Sequence, residues 1–412
     1  MPITMLCLPL VWLLATATAT VTLVSPALGQ ELPLPDPPGV PVPTSPRSPC
    51  TGARAGDLSQ RTEAAHRVPA ATVATFALRF YQRMAEAARP EANLLFSPIT
   101  VAMGLSHLLL GARGETRERL AAVLAYPPGL SCVHSALRLL STAPGLFSAT
   151  QIFHHPDLHL RTRFLNESWR FYNTRPWALS GNESLDLQRI NAWVREASRG
   201  LLPELLSTLP PEPQLVLLSA VHLQGTAPGW GWTRDRAGPH PSCAGVKAQE
   251  GRGAVGRLSL RGGLSLVLLL PLGPPGALGA LERALDPPSL LRLLRRAARA
   301  PPRATALALP RVRLDVPLDV VPLVHDMGEH FGLFLDAELC GLARGAAVAV
   351  DAARHRAVLA LDETGVEAAG AMATSVARSA PLLEALRPFL FVLWHDSADV
   401  PVFMGRLSDP PP

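Results

Sequence analysis

Two apolar runs near the end of the chain constrain its fold most. Residues 357–361 and 389–394 are unbroken and rich in branched or aromatic side chains, a composition typical of strands that are buried on both faces. Between them, residues 362–381 are mostly small and nearly uncharged, so they offer little to anchor a core. The pattern predicts two buried strands joined by a segment that stands out from the body.

The segment between the two runs is compatible with two states, a solvent loop or an added strand. As a strand it would turn alternate positions inward, namely Val366, Ala368, Gly370, Met372 and Thr374. Glu367 would then face outward, which avoids burying a charge. Arg378 precedes the small residue Ser379, a pair that a trypsin-like protease with an acidic specificity pocket would attack. The alternative is a flexible surface linker with an incidental arginine.

The start of the chain predicts secretion. Residues 1–29 carry no charged side chain and run from an apolar stretch to small residues before Gln30, the pattern of a cleaved signal peptide. A membrane anchor is the alternative, although Thr and Pro dilute the stretch. Eight prolines follow within residues 31–50, which predicts an extended tail. We therefore divide the chain into a signal peptide at 1–29, a Pro-rich tail at 30–60 and a folded domain at 61–412.

Secretion would make the cysteines candidates for disulfide bonds and two asparagines candidates for N-glycosylation. After loss of Cys7, four cysteines remain that allow three full pairings: Cys50, Cys132, Cys243 and Cys340. An oxidising compartment favours at least one disulfide among them. Asn166 and Asn182 each begin an Asn-x-Ser sequon, which predicts N-glycosylation at surface positions.

Basic residues are numerous but do not by themselves identify a partner. The formal net charge is +5, and Lys247 is the single lysine among 38 basic residues. The predicted helix 289–300 gathers four arginines, a candidate heparin-binding cluster: Arg292, Arg295, Arg296 and Arg299. The alternative is a solvated helix face in an arginine-biased chain.

Catalytic and metal-binding motifs are missing from the sequence. It contains no Gly-x-Ser-x-Gly elbow, no His-Glu-x-x-His pair and no phosphate-binding glycine loop. No Cys/His spacing resembles a zinc site. We expect neither an enzyme nor a metalloprotein, and we expect no nucleic acid partner, no membrane partner and no resident cofactor.

Secondary-structure signals change along the chain. Helical periodicity dominates the first half, from a helix that begins near Ala71 to an amphipathic helix at Ile190–Ser198. Strand-type runs such as 215–223 and 264–270 interleave and crowd the second half. This order predicts a mixed α+β domain.

An ordered set of motifs over roughly residues 70–412 resembles the serpin family. The matching stretches are NLLFSP at 93–98, GARGET at 111–116, NAWV at 191–194, the run 215–223, DETGVEAAGA at 362–371, PF at 388–389, FMGR at 403–406 and Pro410. Within the family, residues 132–134, 151–154, 339–342, 364–369, 375–378 and 388–394 are most similar to the branch that inhibits complement and contact-system proteases.

The resemblance implies a fold, a mechanism and a set of site residues. It implies helices packed around three β-sheets with an exposed reactive-centre loop, and single-use inhibition of trypsin-like serine proteases by loop insertion. Arg378 and Ser379 would form the bait bond, and the loop hinge would comprise Gly365, Val366, Glu367, Ala368, Ala369, Gly370 and Ala371. The usual serpin spacing would place Ser379 at the bait position, but the surrounding residues match around Arg378.

The same resemblance carries expectations about partners and bonds. It implies a monomeric plasma protein, covalent complexes with target proteases, and heparin or another glycosaminoglycan as a candidate modulator. Cys132 and Cys340 match body cysteines of that branch, and the spacing of Cys50 slightly favours a Cys50–Cys340 bond. A non-inhibitory serpin that acts as a carrier, and a secreted heparin-binding protein, are the alternatives.

One region departs from the family pattern. Residues 225–258 are shorter than expected and lack the usual aromatic pattern after Gly225. Trp230 or Trp232 are candidate substitutes for the expected tryptophan. The strands at the top of the sheet are therefore in doubt at this stage.

Overall fold

Helices form most of the first half of the molecule, as the periodicity predicts. A computed structural model describes residues 58–127, 133–140, 146–226, 232–233, 236–237, 239–240, 243–247, 253–260, 262–274, 276–301, 305–310, 312–327, 334, 337–344, 348–362 and 382–409. Its described helices are α1 (Leu58–Ala87), α2 (Pro98–Gly111), α3 (Gly114–Val123), α4 (Val133–Leu140), α5 (Thr162–Tyr172), α6 (Glu183–Ala197), α7 (Ala277–Ala284), α8 (Pro287–Arg299) and α9 (Val320–Met327).

Strands interleave with these helices and crowd the second half. They are β1 (Leu94–Phe96), β2 (Leu146–His154), β3 (Trp177–Ala178), β4 (Leu215–Thr226), β5 (Trp232–Thr233), β6 (Arg236–Ala237), β7 (Pro239–His240), β8 (Cys243–Lys247), β9 (Gly253–Leu260), β10 (Leu264–Pro271), β11 (Thr305–Ala308), β12 (Val312–Asp319), β13 (Ala352–Asp362), β14 (Leu382–Glu384), β15 (Phe389–His395) and β16 (Val400–Leu407). The mixed α+β class is thus confirmed.

Three sheets form the scaffold of the described residues. The largest has the order β1-β16-β15-β10-β9-β8, a second has the order β12-β13-β4-β2-β3, and a third has the order β14-β11-β7. A short ribbon joins β5 to β6. All described residues lie within one compact unit, Ser48–Pro412.

Helix α2 lies at the centre of the core. Its 14 residues are all buried, which explains why the sequence from 98 to 111 shows no polar face. The side chain of Ser97 caps the helix by accepting a hydrogen bond from the Thr100 amide at 3.3 Å, and Pro98 occupies the first turn, as both residue types favour.

Two helices begin earlier than the sequence pattern predicts. Helix α1 starts at Leu58 rather than near Ala71, because its first residues are polar and give no apolar periodicity. Helix α6 starts at Glu183 rather than Ile190, because the Asn182 side chain caps it by accepting from the Leu185 amide at 3.1 Å.

Helix α6 covers one face of the five-stranded sheet. Its residues Ile190 and Val194 pack with Val216, Leu218 and Ala220 of β4 in a cluster separate from the main core. The alternate β4 residues, among them Leu217 and Val221, belong to the main core. Strand β4 is therefore buried on both faces, which accounts for its mostly apolar sequence.

Among the described helices, none is both long enough and apolar enough to cross a bilayer.

Candidate functional site

The segment 363–381 joins two different sheets. Strand β13, in the five-stranded sheet, ends at Asp362, and strand β14, in the three-stranded sheet, begins at Leu382. The hinge residues 365–371 and the pair Arg378–Ser379 lie outside the described residues. The two strands that flank the segment, and the neighbours of those strands, are described.

The strand pair beside this segment is the candidate site, which we call the seam. Strands β4 and β13 run parallel, in register from Ala352 opposite Val216 to Asp362 opposite Thr226. On its other edge β13 pairs antiparallel with β12. A chain that leaves β13 at Asp362 and turns back along it can therefore pair with β13 only by entering the seam, where it would lie antiparallel to both strands. One parallel pair would thus become two antiparallel pairs, which are somewhat more stable per residue.

A buried histidine bridges the seam. His355 on β13 accepts a hydrogen bond at Nε2 from the Ser97 backbone amide, at 3.1 Å. Its Nδ1 lies 2.9 Å from Oγ of Ser219 on β4. Because the amide is an obligate donor, Nε2 must be unprotonated, so Nδ1–H donates to Ser219. Ser219 in turn lies 3.4 Å from the Arg354 carbonyl oxygen. The ring is held in one neutral tautomer.

Burial keeps His355 neutral. It lowers the pKa of the imidazole from 6.5 to about 3, because desolvation disfavours the charged form. No charged group is needed to explain the shift. Protonation of Nε2 would remove the acceptor of the Ser97 amide, whereas the bond that Nδ1–H donates to Ser219 across the seam would remain.

A second link closes the seam at its end farthest from Asp362. The Asp351 carboxylate accepts from the backbone amides of Gln214 and Leu215, at 2.6 and 3.3 Å. The Asp351 amide donates to the Leu215 carbonyl at 3.0 Å. At the same end, Gln214 accepts at Oε1 from the Ala349 amide at 2.9 Å. Within the described residues, the side-chain links across the seam thus lie at this end and at His355, and the half of the seam nearer Asp362 is held by backbone pairing.

The opposite edge of β13 is tied by charges. Arg356 donates from Nε and Nη2 to the two carboxylate oxygens of Asp315 on β12, both at 2.7 Å. Hydrogen bonding to that carboxylate raises the pKa of Arg356 above its usual value. Arg354 forms a second ion pair with Asp319 of β12. These pairs leave the β12 edge fixed in position while the β4 edge is free of ionic links in the described part of the sheet.

Other predicted site residues lie away from the seam. Asn166 on α5 and Asn182 before α6 are both exposed, and glycosylation at them stays a prediction. Cys340 is exposed with a free thiol at a cavity of about 470 Å³ lined by Arg113, Arg161, Arg163 and Arg344. Cys50 and Cys132 lie outside the described residues, so every disulfide pairing also stays a prediction.

The arginines of helix α8 separate into two groups. Arg292, Arg296 and Arg299 are exposed at spacings that share one helix face. Arg295 instead forms an ion pair with Asp399. Three of the four predicted cluster residues are therefore brought together, and the fourth is engaged within the fold.

A comparison with known protein families identifies the family to which this fold belongs. The model of the serpin family, described as serine protease inhibitors, matches residues 71–228 and 246–410. The chain belongs to the serpin family. This result confirms the resemblance drawn from the ordered motifs, including the expected fold, and it places the chain among inhibitors rather than enzymes.

Several relatives of this serpin are named as inhibitors of plasma proteases. It is 36% identical to the plasma protease C1 inhibitor of Homo sapiens, over 81% of this chain and 70% of that protein. It is 35% identical to the factor XIIa inhibitor of Bos taurus, over 81% and 74%. Among solved structures, maspin superposes with a TM-score of 0.73 at 17% identity, covering 84% of this chain and 100% of maspin.

The family match breaks where the sequence departs from the pattern. Residues 229–245 fall between the two matched stretches. This serpin nevertheless has strands there, because β7 pairs with β11 and β8 pairs with β9. The strands that the sequence left in doubt are therefore present in this region, and they are short.

Sequence reasoning missed the residues that hold the seam. His355 stands alone among the small and apolar residues that alternate inward along β13, namely Ala353, Ala357 and Leu359. An isolated polar residue on a buried face calls for a partner, and that signal was available. Its partners Ser97 and Ser219 are distant in sequence and could not be assigned without the fold.

Proposed function

We propose that this serpin is a secreted inhibitor of arginine-specific, trypsin-like serine proteases of the complement and contact systems. The observation that carries the proposal is the closed parallel seam, which is the one place where the segment after Asp362 can pair with its own strand. Arg378–Ser379 is the proposed bait bond, because Arg378 is the single basic side chain within residues 362–381.

Inhibition would begin as ordinary proteolysis. The protease serine oxygen attacks the carbonyl carbon of Arg378, the amide bond to Ser379 breaks, and the new amino group of Ser379 takes up the proton. The product is an ester between Arg378 and the protease. Water would normally hydrolyse this ester, so inhibition requires a faster competing step.

Strand insertion supplies that step. Once cut, residues after Asp362 can turn back into the seam and pair with both β4 and β13, carrying the attached protease along. Small residues at 365–371 suit this path because they pass between the strands without steric obstruction. The insertion starts at the half of the seam that lacks side-chain links and must then break the His355–Ser219 bond.

The names of the relatives support the target class. One relative is a plasma C1 inhibitor and another a factor XIIa inhibitor, and two alpha-2-antiplasmins match at 30% identity. The uncharged leader at 1–29 and the word plasma in the name of the C1 inhibitor support a secreted, extracellular protein.

The test of the bait bond is a gel assay. The protein is incubated with trypsin, C1s and factor XIIa, and SDS-stable complexes are counted. Arg378→Ala should abolish complexes with all three enzymes, because it removes the cationic side chain that their acidic specificity pocket binds. Ser379→Ala is the matched control and should retain them. Persistent complexes with Arg378→Ala would place the bait bond elsewhere.

The test of insertion uses neighbouring alanines. Ala368→Glu puts a carboxylate at a position that must enter the seam, whereas Ala369→Glu puts the same charge one residue later, where it faces outward. We expect Ala368→Glu to be cleaved without complex formation and Ala369→Glu to inhibit. Equal complex yields would contradict insertion, and cleavage of the wild type without any complex would favour the non-inhibitory alternative.

Heparin remains a proposed modulator. The specific support is the exposed row Arg292, Arg296 and Arg299 on α8, a geometry suited to a linear polyanion. A triple Arg→Gln variant of these residues should elute earlier from heparin–agarose than the wild type. Arg295→Gln is the control, because that guanidinium already pairs with Asp399. Unchanged elution of the triple variant would exclude this face.

A further inference from the structure

A cavity of about 490 Å³ lies between α6 and the edge strand β3, away from the seam. Its lining residues are Phe153, Pro176, Trp177, Ala178, Leu179, Asp186 and Arg189. This α6–β3 cavity has the composition of a small-molecule site, with apolar and aromatic walls and few polar groups, and its volume lies within the usual range.

The aromatic wall is unusual for a surface. Trp177 on β3 is 45% exposed, although a side chain of this size gains much from burial. Its ring meets that of buried Phe153 edge-on, with centroids 5.8 Å apart and planes at 86°. The contact fixes the indole in place and leaves part of its surface open to the solvent and the cavity.

The polar wall is asymmetric in charge. The buried Asp186 carboxylate accepts three hydrogen bonds from Ser180, two from its amide and one from its hydroxyl, at 2.8 to 3.0 Å. Arg189, one turn along α6, is exposed and has no carboxylate partner among the described residues. The acidic group is thus already satisfied, whereas the guanidinium retains free donors arranged for a planar anion.

We propose that the α6–β3 cavity binds small aromatic carboxylates. The ring of such a ligand would lie against Trp177 and Phe153, and its carboxylate would pair with Arg189. The ligand would add the apolar cover that Trp177 lacks and the counter-charge that Arg189 lacks. Neither the inhibitory seam nor the bait bond contributes a residue to this site.

Calorimetric titration of the full-length protein tests the proposal with naphthalene-2-carboxylate as the probe. We expect saturable binding with a Kd on the order of 0.1 mM, typical of a ligand of this size. The neutral isostere naphthalene-2-carboxamide should bind at least ~10-fold more weakly, because it cannot form the charged pair.

Two pairs of variants locate the site. Trp177→Ala and Arg189→Gln should each weaken binding at least ~10-fold. Trp169→Ala and Arg175→Gln are matched controls that lie outside the cavity. Trp169 is 52% exposed, close to the value for Trp177, and Arg175 stacks on it, with 5.3 Å from its guanidinium carbon to the ring centroid. Both controls should bind as the wild type does.

Thermal melting of each variant accompanies the titrations. Trp177 and Arg189 are exposed, so both variants should melt as the wild type does. If Trp177→Ala has a lower melting temperature than the wild type, the titration of Arg189→Gln alone decides the outcome. Absence of saturation up to millimolar probe, equal affinity for acid and amide, or equal losses in the control variants would each overturn the proposal.

Discussion

The two edges of strand β13 are held by different chemistry. Toward β12 the pairing is antiparallel and is reinforced by the ion pairs Arg356–Asp315 and Arg354–Asp319. Toward β4 the pairing is parallel, and the described side-chain links are the neutral His355–Ser219 bond and the contacts of Asp351 and Gln214 at the far end. If the proposed insertion takes place, the edge of β13 toward β4 is the one at which the sheet would separate, because it lacks the ion pairs of the β12 edge.

Locking each edge in turn gives the largest expected difference. Ala357 is the register partner of Val221 across the seam and of Val316 on β12. A disulfide from Val221→Cys/Ala357→Cys should abolish SDS-stable complexes, because the strands can no longer separate. The matched pair Val316→Cys/Ala357→Cys should leave complex formation intact. Reductant should restore the first variant, and inhibition by the locked seam would show that β4 and β13 need not part.

Acid should destabilise the fold through His355, because a protonated ring cannot accept the hydrogen bond of the Ser97 amide. The pKa of folded His355 is about 3, below the unfolded value of 6.5, so between these pH values the unfolded chain binds an extra proton. Stability is therefore full above pH 6.5 and falls as pH decreases, by about 2 kcal/mol at pH 5 from this residue alone.

The measurement is urea unfolding of the wild type and His355→Gln between pH 7.5 and 5. Buried His107 and His134, whose pKa values are lowered to about 3 and 4 by burial, contribute to both curves alike. The difference between the two proteins in the slope of unfolding free energy against pH isolates the contribution of His355. Parallel curves would contradict a neutral, buried role for this residue.

Removing one hydroxyl should loosen the seam without abolishing inhibition. Ser219→Ala leaves the buried Nδ1–H of His355 without its acceptor, at a cost of ~1–3 kcal/mol. We expect a lower melting temperature together with faster complex formation, because the strands part more easily. Ser219→Thr keeps the hydroxyl and serves as the control. A slower rate in Ser219→Ala would argue that the bond assists insertion instead of resisting it.

Removing an ion pair between β12 and β13 should have the smallest effect on stability. Asp315→Ala removes the bidentate partner of Arg356, but the Asp315 side chain is 46% exposed and the pair is screened, so the loss is about 0.5–1 kcal/mol. Because β12 and β13 stay paired during insertion, the rate of complex formation should not change. A changed rate would erase the distinction between the two edges.

Much of the fold was predictable because its signals are local. The runs at 215–223 and 389–394 are mostly apolar because their strands are buried on both faces, and Ser97 and Pro98 mark the start of α2. Helices α1 and α6 were predicted too short, since their first turns are polar and leave no apolar period. The arginines of α8 shared a predicted face, but the pairing of Arg295 with Asp399 depended on a distant turn.

The sequence by itself determined the α+β class, the family and the small, nearly uncharged segment that ends at Arg378 and Ser379, because these features follow from composition and residue order. The tertiary structure decided which strands flank the seam and what holds it. His355 meets Ser97 and Ser219 across separations of 258 and 136 residues, and Phe153, Trp177 and Arg189 meet around one cavity. Such contacts arise only when the chain folds, because no local pattern encodes which distant residue will satisfy a buried donor or complete a wall.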